Sequence, residues 1–138
     1  MKWLLLVLAL IAGLVVAVML PAVQEDMQRK QVQAALAAAK RLAPQLAAYR
    51  EIHQRWPATL TEAGLEGGFY DAEHGQSGVL QWHASRAELS AQFDDIKGAA
   101  VYYRAVSGSE SGMLWRCSQR GLPERASHWH LDCESLGR

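Results

Sequence analysis

Residues 3 to 22, WLLLVLALIAGLVVAVMLPA, carry no charge, and the chain then continues without an obvious break into a water-compatible helical pattern ending near His53. A hydrocarbon core is about 30 Å thick and takes about 20 apolar residues to cross at 1.5 Å per residue. This stretch is long enough to do so. A cleaved secretory signal is the competing reading, since Lys2 supplies a minimal positive flank. Against it, the apolar run exceeds the ~7–15 residues of a signal core, and no small-x-small cleavage site follows. The predicted organisation is therefore residues 1–23 as the transmembrane half of an N-terminal helix and residues 24–138 as one small soluble domain. Orientation is less direct, because Lys2 lies on one side and Glu25, Asp26, Arg29 and Lys30 on the other, and acidic residues count little in the positive-inside rule.

A chain of 138 residues with this much committed to one helix has room for a single small domain. Its 14 basic and 14 acidic residues cancel, so overall charge argues neither for nor against a polyanionic partner. Two cysteines, Cys117 and Cys133, form a disulfide if the domain faces an oxidising compartment, or stand as two free thiols if it does not. A bridge there closes a loop of about 15 residues, a stabilisation of roughly 3 kcal/mol in the chain-entropy model. Nothing resembles C-x-x-C, which removes support for thiol redox chemistry or zinc.

Beyond Pro21, Val32, Ala35, Leu36, Ala39, Leu42, Ala43, Leu46 and Tyr49 recur at three- and four-residue steps, the signature of an amphipathic helix. From Trp3 to His53 the combined rod would be roughly 75 Å long, with Gly13, Pro21 and Pro44 as the places to bend. A small domain cannot bury such a rod. Trp56-Pro57 marks the helix exit, and Thr59 and Glu62 are spaced as a capping box with Gly64 as its stop. The glycine-rich stretch 66–78 is expected to be a loop. Four strands are expected, over 79–84, 88–93, 99–106 and 113–118, joined antiparallel by short turns. The predicted fold is α+β, a long helix lying across a roughly four-stranded antiparallel sheet and closed by a C-terminal loop.

Several of these residues have a familiar look. The run Leu20-Pro21-Ala22-Val23-Gln24-Glu25-Asp26, then Arg29, Gln31-Val32 and Ala35-Leu36, resembles the I-P-A-Y-Q-D-Y-x-x-R-x-Q-V-x-x-A-L of type IV pilins. Tyr49, Trp56-Pro57-Ala58 and Glu62-Ala63-Gly64-Leu65 are similar to the segment where the pilin helix ends. Trp115-Arg116-Cys117 and Cys133 resemble the W-x-C and final cysteine that bound the family's C-terminal disulfide region. The departure is at the N-terminus, where the basic leader ending in glycine and the Phe-Thr-Leu-Ile-Glu opening have no counterpart. Aligned on Pro21-Ala22, that glutamate falls on Leu4. The resemblance implies a non-enzymatic, single-pass protein of a bacterial inner membrane, with its C-terminal domain in the periplasm or displayed in a surface pilus. It would serve as an unprocessed or atypical component of a type IV pilus or related machine, with other pilins, assembly proteins and the lipid bilayer as partners. Trp3, Leu4, Gly13, Pro21 and Ala22 would then pack in the membrane or in a helix bundle.

The remaining constellations are weaker. His128-Trp129-His130, with Asp132 and Glu134 near, places two histidines on one side of an extended segment, but no second cluster completes a metal-ligand set. His53, His74 and His83 are scattered and need no special role. Arg116, Arg120 and Arg125 with Trp129 mix basic and aromatic groups in or beside the disulfide loop, as a nucleic-acid contact would. Glu124, Asp132 and Glu134 dilute them, so a solvated loop is the first reading and an adhesin or DNA receptor the alternative. Ser107, Ser109 and Ser111 read as turn residues without a partner base. No catalytic, cofactor or metal motif is expected.

Overall fold

In the computed structural model the chain begins as a single α-helix, α1, spanning Lys2–His53, and it runs through Gly13, Pro21 and Pro44 without a break. The structure describes residues 1–93, 96, 98–107, 113–131 and 133–135, with the backbone alone for Arg125, Glu134 and Ser135. The turn signals at 94, 95, 97 and 108–112, with Ser109 and Ser111 among them, and Asp132 lie outside the described residues.

The helix divides by environment. Residues 2 to 24 are exposed all round, Glu25 to Lys30 are half-buried, and full burial starts at Gln31. From there Val32, Ala35, Leu36, Ala39, Leu42 and Leu46 form one stripe in the core, the face that the three- and four-residue steps foretold. Each fully buried Val or Leu contributes about 1.5–3 kcal/mol relative to exposure, so this stripe holds the helix on the domain.

The stripe packs on a five-stranded sheet ordered β3-β4-β5-β6-β7. Four of these strands, β3 (Gln81–His83), β4 (Glu88–Phe93), β5 (Ala99–Ser107) and β6 (Met113–Arg120), are successive antiparallel neighbours. They occupy the four segments where period-two and β-branched patterns predicted them. The fifth, β7 (Glu134–Ser135), pairs parallel with β6 and was not foreseen. It is carried there by the disulfide between Cys117 on β6 and Cys133, whose Cα atoms lie 4.6 Å apart. Leu89, Ala91 and Phe93 of β4 and Ala99 and Val101 of β5 face the helix.

One expectation needs correcting. The glycine-rich stretch 66–78 is not a plain loop but holds most of a hairpin, β1 (Gly68–Asp71) and β2 (Gln76–Val79), a separate two-stranded sheet against α1. Val79 ends that hairpin instead of opening the main sheet. Local propensity gives little warning, because the stabilising contact is tertiary: Phe69 is buried edge-on against Phe93, their centroids 6.4 Å apart. Gly78 is the partner of Phe69 in register, and a Cβ there would overlap the phenyl ring. The turn itself is legible, since Asp71 Oδ1 accepts from the backbone N–H of Glu73 at 3.0 Å, an Asx turn.

Candidate functional site

Three surfaces carry side chains that the fold does not use up. The first is the bare half of α1. Trp3 is 83% exposed and Leu4 67%, Pro21 and Ala22 are exposed, and a Cβ at Gly13 would meet nothing within 4 Å. Fifteen large apolar side chains from Trp3 to Val23 share this exposure. Among the described residues, α1 is the one helix long and apolar enough to cross a membrane.

The second surface begins where the apolar run ends. Asp26 forms an ion pair with Arg29 and meets His74 Nε2 through Oδ2 at 2.8 Å, and Lys30 Nζ lies 3.3 Å from Glu73. His74 therefore has a role that its isolated position in the sequence did not announce. It ties the tip of the β1–β2 hairpin to the helix just beyond the apolar segment. The bond to His74, aided by Arg29, holds the Asp26 carboxyl below its ordinary range against the opposing effect of desolvation. Ligand atoms of Asp26, Glu73 and His74 come within 4.8 Å of one another. The two carboxylates are already matched by Arg29 and Lys30, which makes this an ion-pair knot rather than a metal centre.

A similar knot fixes the far end of the helix. Gln54 caps α1 in the left-handed conformation, and Glu62 accepts from Tyr49 Oη at 2.7 Å and from the Ala58 N–H at 2.8 Å while pairing with Arg55. Thr59 Oγ1 accepts from the Glu62 N–H at 3.1 Å and Gly64 adopts φ +71°, so the stop and one half of the box expected from spacing are formed, while the Glu62 carboxylate takes the Ala58 N–H in place of that of Thr59. Arg55, then Tyr49 and Ala58, depress the Glu62 pKa to about 2. Trp56 sits beneath Arg50, 5.0 Å from its guanidinium, and against Trp82 and Trp115. Trp82 Nε1 donates to the Pro57 carbonyl at 2.7 Å.

The third surface is the outer face of the main sheet. Arg116, beside the disulfide loop, and Arg120, within it, both stand on β6, exposed and pointing away from the helix. Register places Arg104 of β5 directly opposite Arg116, and Tyr102 opposite Ser118 one pair further along. Arg104 lies outside the disulfide loop, and the signal that marks it is the alternation of β5, which turns it to the solvent face. Trp129 does not join them. It is 5% exposed and belongs to the core, so its ring is closed to stacking. His128 and His130 are exposed, but the segment carrying them is a 3-10 turn, Glu124–Trp129, ending in a left-handed His130, not the extended run assumed for metal binding. The Arg125 side chain lies outside the described residues.

What this arrangement can do chemically is present an apolar rod at one end and a row of arginines on the side of the sheet turned away from the helix. Ser107 ends β5, exposed. The chain matches no known family model, and no curated protein matches it.

Proposed function

We propose that the protein is a membrane-anchored, non-enzymatic, pilin-like structural or assembly component of a bacterial filament system. The carrying observation is a single unbroken helix, bare and uncharged from Trp3 to Ala22 and sheet-packed from Gln31, joined to a domain closed by a disulfide. Such a rod needs a non-aqueous partner for its first half, either lipid or equivalent helices. The order of the pilin-like segments along the chain supports the family reading, and a disulfide suits an oxidising compartment outside the cytoplasm. In this reading α1 crosses the inner membrane once and the domain sits in the periplasm or in a pilus.

Fractionation of the native cell tests it. The protein is expected in the inner-membrane fraction, or in sheared surface filaments if it is polymerised, with Cys117 and Cys133 oxidised. Recovery as a free cytosolic species with reduced thiols would overturn the reading. A second reading, a tethered receptor for a polyanion on the same scaffold, is favoured by the arginines of the sheet face.

A further inference from the structure

Arg104 and Arg116 stand directly opposite each other on neighbouring antiparallel strands, both exposed. Directly opposed residues have Cα atoms about 4.5–5.5 Å apart, and like charges there destabilise a sheet. Neither guanidinium has an ion-pair partner among the described residues. Arg120, four residues along β6 on the same face, extends the positive row to about 14 Å at 3.4 Å per residue. Among the described side chains, Glu88 is the acid that shares this face: it faces Arg104 from β4 in register and has its carboxylate 3.7 Å from Arg86. Three arginines thus share one sheet face of a chain of zero net charge, while Asp26, Asp71 and Glu73 lie on the helix and the hairpin, away from it.

We propose that this face, built on Arg104, Arg116 and Arg120 around Tyr102, is a binding site for a single-stranded nucleic acid. The inference deepens the receptor reading and needs neither filament assembly nor a particular compartment. Two properties select the occupant. Arginine forks match phosphate geometry, and three of them in a row suit a repeating phosphodiester better than an isolated anion. Half-buried Tyr102 lies between the Arg104–Arg116 pair and Arg120, and an aromatic ring set among cations on a flat sheet is a stacking platform for unpaired bases. The lipid of the protein's own membrane is a poor match. Helix α1 lies against the opposite face of the sheet, so with the helix upright in a bilayer the arginines look along the membrane plane.

The test uses the detergent-solubilised full chain and a fluorescent 20-nucleotide single-stranded dT oligomer, read by anisotropy. With three phosphate contacts and a slope of about −0.7 per contact, the dissociation constant should rise roughly 20-fold between 50 and 200 mM salt. Arg104→Gln should shallow the slope by about 0.7. Arg116→Glu should abolish binding yet melt no lower than the parent, because it turns a repulsive cross-strand pair into an attractive one. Tyr102→Leu should weaken the dT oligomer at least about fivefold and leave an abasic oligomer of equal length unchanged. Lys40→Gln, exposed on the helix, should change nothing. The proposal fails if binding is absent or insensitive to salt, if a blunt duplex or the abasic oligomer binds as well as the dT oligomer, or if Arg104→Gln behaves as the parent. These outcomes leave the membrane and filament reading untouched, since fractionation alone decides that.

Discussion

Glu62 shows how one exposed side chain sets the geometry of a much larger element. Its carboxylate receives Arg55, Tyr49 and the Ala58 N–H, and so ties the last turns of α1 to the chain just after it turns away. Because its pKa falls from the ordinary 4.5 to about 2 in the folded protein, the network's contribution is whole above about pH 4.5 and is lost as pH falls towards 2. Melting temperatures of parent and Glu62→Gln between pH 5 and pH 2 should therefore converge at the acid end, with the parent the more stable at pH 5. Parallel curves would show that Glu62 is not the group responsible. At the opposite end of the packed helix, His74→Ala should let the Asp26 carboxyl rise part of the way to its ordinary value, Arg29 still holding it down. A carboxyl-carbon NMR titration of Asp26 reads this directly, and an unmoved midpoint would mean that Arg29 alone sets it.

Among the elements, those whose side-chain pattern matches their own backbone period were legible, and those made by distant contacts were not. The stripe from Val32 to Leu46 and the alternation of Leu89, Ala91 and Phe93 announce a helix face and a half-buried strand, because burial repeats with the backbone. The β1–β2 hairpin offers no such repeat. Its order comes from Phe69 reaching Phe93 and from the knot of Asp26 with His74, contacts separated by 24 and 48 residues that no local window contains. Strand β7 is two residues long and depends on the disulfide to bring it beside β6. Replacing both cysteines by serine should accordingly cost about 3 kcal/mol, from a loop spanning 16 residues, and release β7 amides to hydrogen exchange while β3 to β6 stay protected. Uniform loss of protection across the sheet would instead make the bridge a condition of the whole fold. The candidate site follows the same division. Arg116 and Arg120 could be named from the sequence, but their face and their neighbour Arg104 required the register of β5 against β6.

At the scale of the whole molecule, the structure sets two incompatible surfaces on one rod. Residues 2 to 53 at 1.5 Å each make a helix of about 78 Å, and the domain covers only the part beyond Glu25. The uncovered part is about 33 Å long, close to the ~30 Å of a hydrocarbon core. Removing its fifteen large apolar side chains from water is worth on the order of 20 kcal/mol or more, at about 1.5–3 kcal/mol each. That exceeds the typical stability of a small domain, so the first half of α1, which adds nothing to the core, is long and apolar enough to cross a membrane and strongly disfavours bare exposure to water. A chain starting at Gln24 should then keep the fold, because every buried residue lies beyond that point, and should stay in solution without detergent. The full chain should sediment with membranes and resist extraction at high salt and at pH 11. Circular dichroism of the shortened chain should retain the sheet and the helical signal of residues 24 to 53. If the shortened chain unfolds, the bare half contributes to folding beyond its exposed contacts. If it still sediments with membranes, the anchor lies elsewhere.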